Sequence, residues 1–308
     1  MSELNSTEKK KRKFSLLDNF VVMGLVSTIL LWGGLILNGR LFKQPLNNLL
    51  EMLSPGCTTT DVGALALSYV RFQGIWLLVL LVIILIPFNR PILKSLTTKT
   101  KGNTLKMFAV GLGFGLGANL LCAFIAMLTG DIRISFVSFQ PVSLLIIFVT
   151  ILIQSGAEEL IYRIFAHQHM VRRYGNHVVA ALVVVPVFAI NHALNPGFGL
   201  VPFLSLCGLG LLCAALVIWM DSPWAAIAAH TAWNFCQNII LGLPNSGGVA
   251  TYSVFKLETA TDSFAYNVVF GPEGAITAAV ILLATTGLIA WWGTKHKTVP
   301  TNIWDAED

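Results

Sequence analysis

The chain has 308 residues, of which 55% are hydrophobic and 11% charged, with a formal net charge of +5 and a mean hydropathy of +0.74. That balance argues against a soluble domain, and against a nucleic-acid binder, whose cations would interleave with aromatics on one polar face instead of sitting in loops between apolar runs. Five cysteines (Cys57, Cys122, Cys207, Cys213 and Cys236) show no Cys-x-x-Cys or Cys/His spacing, which speaks against a disulfide framework and a cysteine zinc site.

In chain order, a basic run at 9–13 precedes an apolar stretch too long for a signal-peptide core, read as a retained first span. Runs of roughly 20 residues, enough to cross about 30 Å of hydrocarbon, fall near 20–38, 68–87, 106–128, 142–171, 178–194, 201–219, 223–243 and 273–293. The expectation is an all-α polytopic membrane protein of about eight helices. A basic tail (1–19) leads into a transmembrane domain (20–293), and a short tail (294–308) follows it. Lys and Arg outside the spans divide fourteen to four between the two sides, which predicts both termini in the cytoplasm and a cell-membrane location, plasma or inner. The glycines at 111–117 supply two small-x-x-x-small pairs, Gly111 with Gly115 and Gly113 with Gly117, a pattern for close helix packing. The connection at 243–272 carries no assignable chemistry.

The exceptions to apolarity carry the information, because a charge at membrane depth costs several kcal/mol, roughly, unless paired or functional. Glu158, Glu159 and Arg163 fall in the fourth stretch, His192 in the fifth, His230 and Asn234 in the seventh. Glu159 and Arg163 are spaced i, i+4 with the acid first, the favourable order for a helical ion pair, so their expected role is mutual neutralisation. Glu158 then points about 100° away toward another neighbour. Glu158 lies 17 residues before Gly175 and His192 lies 17 after it. An antiparallel hairpin with equal arms brings the two to one level. His230 and Asn234 share a helix face and can complete the cluster. A carboxylate, two imidazoles and an amide form a hydrolase inventory: a base for water and donors for an oxyanion. His167, His169 and His177, near the hairpin turn, are expected at the surface.

With these residues in place, the chain resembles the CAAX protease and bacteriocin-processing (CPBP, or Abi) family of intramembrane proteases, which includes the type II CAAX prenyl endopeptidases. The resemblance spans about 142–241: Glu158, Glu159 and Arg163 match E-E-x-x-x-R, Phe188 and His192 match F-x-x-x-H, and His230 and Asn234 match H-x-x-x-N. It implies that Glu158 is the general base, that His192 assists it, that His230 and Asn234 hold the oxyanion, and that Glu159 and Arg163 brace the site. The expected activity is endopeptidase cleavage of membrane-associated peptides or protein tails, in a lipid bilayer, with no nucleic acid, at a site reached from the cytoplasm. No cofactor is favoured; zinc on Glu158, His192 and His230 is the alternative. A non-catalytic scaffold, immunity or sensor-regulating protein on the same fold, or a proton-coupled transporter, are the other readings.

Overall fold

The computed structural model describes residues 15–53 and 55–304; the basic run at 9–13 and the last four residues lie outside them. The chain order is α1 (Phe20–Leu37), α2 (Lys43–Leu53), α3 (Asp61–Val70), α4 (Gln73–Leu85), α5 (Leu105–Leu128), strand β1 (Ile132–Phe136), α6 (Pro141–Glu159), α7 (His167–Tyr174), α8 (His177–Ile190), α9 (Leu200–Trp219), α10 (Pro223–Asn234), strand β2 (Phe255–Ala260) and α11 (Ile276–Lys295). Short polar side chains set several helix starts by accepting hydrogen bonds from otherwise orphaned N–H groups. Asn19 caps α1, Thr104 caps α5, Asn176 caps α8 and Ser222 caps α10.

All eight stretches expected to be helical are helical. Among the described residues, six helices are long and apolar enough to cross a membrane: Phe20–Met52, Asp61–Leu85, Leu105–Leu128, Pro141–Tyr174, Leu200–Trp219 and Ile276–Lys295. Of the eight expected spans, six therefore qualify by length and composition. The other two, α8 and α10, fall short for physical reasons. At 14 residues, α8 is about 21 Å long by helix rise. Of the 12 residues of α10, all but Trp224 are buried by protein, so its surroundings do not demand lipid-compatible side chains.

Both described ends lie at one end of the bundle, here the near end. His169 Nδ1 is 2.9 Å from Asp18 Oδ1, and the Arg172 guanidinium stands 3.8 Å over the Phe88 ring and 5.0 Å from that of Trp304. Thr301 donates through both its N–H and its hydroxyl to Asp221. This corrects the surface expectation for two histidines. His167 and His169 are buried, the first within 3.2 Å of His177, because the segments around Asp18, Phe88 and Trp304 close over the hairpin.

At the opposite, far end, β1 and β2 pair antiparallel and the 242–275 connection folds over the helices. The α5 and α10 helices run side by side in the same direction. A Cβ on Gly111 would meet the Ala225 carbonyl oxygen at 2.2 Å, and one on Gly115 the Ala229 oxygen at 2.0 Å. Gly113 and Gly117 would meet nothing within 4 Å. The small-residue packing is thus confined to the first pair, and it seats the helix that carries His230.

Candidate active site

Three helical segments build the site. α6 ends at Glu158 and Glu159 and widens into a π-helical turn, Leu160–Ala166; α10 ends at Asn234 and widens likewise into Phe235–Ile240. Such turns recur at functional sites because they re-aim side chains within a continuous helix. Glu158 is 6% exposed, Glu159 and Arg163 2% or less.

Arg163 Nη1 lies 3.2 Å from Glu159 Oε1, as the i, i+4 spacing predicts. The same oxygen is also 2.9 Å from His230 Nδ1. Glu159 is therefore more than a counter-ion: it orients the imidazole, which corrects the expectation of mutual neutralisation alone. His230 Nε2 then faces Glu158, 3.8 Å from its Oε2. Glu158 Oε1 accepts from Gln154 Nε2 at 2.7 Å, while its Oε2 accepts no hydrogen bond. Asn234 Nδ2 donates to Gln154 Oε1 at 3.0 Å.

His192 stands in the turn just beyond α8, where its Nδ1–H donates to the Phe188 carbonyl at 3.0 Å and leaves Nε2 as the acceptor of the neutral ring. The Phe188 ring contacts three members of the set: its centroid is 4.4 Å from the Arg163 guanidinium carbon, 5.0 Å from the His192 ring and 6.0 Å from the His230 ring. Glu158, His192, His230 and Asn234 all line one cavity of about 630 Å³, so the equal-arm expectation holds to that extent.

The cavity runs from the level of Glu158 to the far end, where Pro196, Gly248 and Val249 on its wall are exposed. Its mouth is thus opposite the tails. Cytoplasmic tails and a cytoplasmic mouth exclude one another in this fold, so the two expectations cannot both stand. The arms of about 25 Å from Gly175, at 1.5 Å per residue, already carry the site past mid-bundle.

Sequence reasoning missed several members of this cavity. Gln154 sits one turn before Glu158 on the same helix face, a spacing that was available as a signal. Arg71 lies within the second stretch as a charge at span depth and lines the cavity. Asn245 and Ser246 come from the connection to which no chemistry was assigned, and Glu273 opens the eighth apolar stretch; no motif marks them. Glu273 is 2% exposed; burial pushes its carboxyl up, against hydrogen bonds from Ser246 and Trp233 that favour the charged form.

Among the described residues, no group of three or more His, Cys, Asp or Glu side chains is placed to hold a metal ion. The Glu158, His192 and His230 set consequently lines a cavity without converging as ligands, and His230 Nδ1 is already engaged by Glu159.

Residues 140–236 match the family described as type II CAAX prenyl endopeptidase Rce1-like. Over those residues the chain is similar to the CAAX-protease, or CPBP, family. No curated relative and no solved structure matches the chain. That likeness agrees with the multi-pass helical architecture, and the matched family is one of proteases that act on peptides or proteins in a membrane setting. The matched segment contains Glu158, Glu159, Arg163, Phe188, His192, His230 and Asn234, and stops short of Asn245 and Glu273.

Proposed function

We propose that this protein is an intramembrane endopeptidase in which Glu158 activates water against a peptide bond. The observation that carries the reading is the state of that carboxylate. One oxygen is anchored by Gln154 and the other is unbonded beside His230, on the wall of a cavity that reaches the surface. Water attacks the substrate carbonyl as Glu158 takes its proton. The carbonyl π electrons move to oxygen, and Asn234 Nδ2 and His230 Nε2 donate to the oxyanion so formed. When both its nitrogens carry protons, His230 has Glu158 and Glu159 as counter-ions. Collapse of the adduct breaks the C–N bond, and the proton held by Glu158 passes to the leaving amine. His192 Nε2, an acceptor facing the same space, orients the water.

The charge asymmetry of the loops supports cytoplasmic tails. The mouth then faces away from the cytoplasm and takes peptides or membrane-anchored tails presented there. One experiment tests the reaction: purified protein in nanodiscs is incubated with a peptide library, with and without chelator, beside Glu158→Gln. Cleavage by wild type alone, unaffected by chelator, is expected. Activity retained in Glu158→Gln removes the mechanism, and loss on chelation restores the zinc alternative.

A further inference from the structure

The segment at 245–249 lies outside the family-matched residues yet forms part of the cavity wall. It is a tight turn. Asn245 and Gly248 exchange two backbone hydrogen bonds of 2.8 Å, and the residues between them, Ser246 and Gly247, have φ of 47° and 83°. A left-handed serine costs free energy and persists only where its surroundings over-determine it. Here they do. Ser246 donates through its N–H and its hydroxyl to Glu273 Oε1, and Trp233 Nε1 donates to the other oxygen at 3.0 Å. Gly247 packs so closely on Pro196 that a Cβ would meet its carbonyl oxygen at 2.5 Å. Asn238 Nδ2 donates to Gly248 O at 3.2 Å. Three points outside the turn therefore hold it.

What the turn delivers is the Asn245 side chain, whose Nδ2 donates to Asn234 Oδ1 at 3.2 Å. This closes a chain of amides: Asn245 to Asn234, Asn234 to Gln154, Gln154 to Glu158. An ionised carboxylate only accepts, so Gln154 must turn its NH₂ toward Glu158 and its oxygen toward Asn234. Asn234 must then offer NH₂ to Gln154 and oxygen to Asn245. The sense of each carboxamide is fixed by its neighbours. Without a donor at 245, Asn234 loses the donor to its oxygen and keeps only the acceptors of its NH₂, Gln154 Oε1 at 3.0 Å and the Ser155 hydroxyl at 3.4 Å, against a 180° flip; the flipped amide presents an oxygen where an oxyanion needs a donor.

We propose that Asn245 is a positioning residue, held by the Glu273-pinned turn, that locks the Asn234 carboxamide with its NH₂ toward the reacting carbonyl. The inference rests on the hydrolytic reading above. It is tested by kinetics of Asn245→Ala and the isosteric Asn245→Asp, which puts an acceptor where the donor was. Loss of an oxyanion donor lowers kcat by about 10²–10³. Asn245→Asp is expected to approach that loss by forcing the flip, and Asn245→Ala to lose on the order of tenfold, both with KM and melting temperature unchanged. A merely structural role would move the melting temperature and would not rank Asp below Ala. Equal kcat in Asn245→Asp and wild type, with Glu158→Gln inactive, overturns the inference and leaves the hydrolytic reading standing. If Glu158→Gln stays active, the hydrolytic reading falls, and the ¹⁵N resonance of the Asn234 carboxamide decides the rest: a signal unmoved by Asn245→Asp overturns the positioning. Should Asn245→Asp not fold, Asn245→Ala carries both readouts.

Discussion

The outer helices and the inner ones obey different rules. In α1, α5 and α11 about a third or less of the most apolar window is buried by protein, 28%, 33% and 28%, and their outward faces are Leu, Ile, Val and Phe. In the α6–α7 rod that share is 67%, and almost all of α10 is enclosed. An outer helix must satisfy lipid, so its sequence is uniformly apolar. An inner helix meets only protein, so it can carry Glu158, Glu159, Arg163, His230 and Asn234 provided each has a partner. Apolarity alone does not mark the wall, since α9 is as apolar as any outer helix and 72% buried; it is the interruptions that mark the working part.

The sharpest way to break that contrast is at Glu158. Glu158→Gln keeps shape and a hydrogen bond with Gln154, so the protein should melt as wild type does while hydrolysis falls by about 10²–10⁴, the range for loss of a general base; a time course on a cleaved peptide measures it. The next test sits on the boundary between the two classes. Gly115→Leu forces a side chain into the Ala229 carbonyl and should displace α10, at a cost of about 1–3 kcal/mol for overpacking, with activity falling although no site residue changes. Gly117→Leu, two residues along the same helix and facing open space, should leave both denaturation midpoint and rate intact.

Arg163 sharpens the comparison from inside. Arg163→Ala leaves Glu159 without its guanidinium and should lose about 3–5 kcal/mol, as one-sided removal of a buried pair does; denaturant titration in mixed micelles reads it. Glu159→Gln with Arg163→Met should recover much of that loss, since Gln still accepts from His230 Nδ1. The smallest effect is expected at Glu273, whose pKa burial raises above 4.5. A raised carboxyl pKa contributes stability that is fully present below the unfolded-state value and lost as pH rises through the folded-state value. Relative to Glu273→Gln, the wild type should thus melt highest at acid pH, and the difference should shrink as pH climbs; melting curves from pH 4 to 8 check this.

Much of the site was legible because charges are scarce. Glu158, His192, His230 and Asn234 stood out against hydrocarbon-compatible neighbours, and hairpin arithmetic placed the first two together. Gln154 was hidden by being neutral. Asn245 was hidden in a polar connection and Glu273 at the very start of the eighth stretch, places where such residues are ordinary and only the closure of the chain brings them onto the cavity. The π-helical turns after Glu159 and Asn234 have no signature in apolar spacing. His167 and His169 were misplaced because their covers, Asp18 and Trp304, are 151 and 135 residues away from His169 in sequence.

The near-end cluster around His169 has a mechanical meaning. Asp18 and Trp304 grip α7, and α7 is one end of the continuous rod Pro141–Tyr174 that bears Glu158 and Glu159 at its middle. Segments near either end of the described residues are thereby fastened to the foot of the lever that holds the carboxylates.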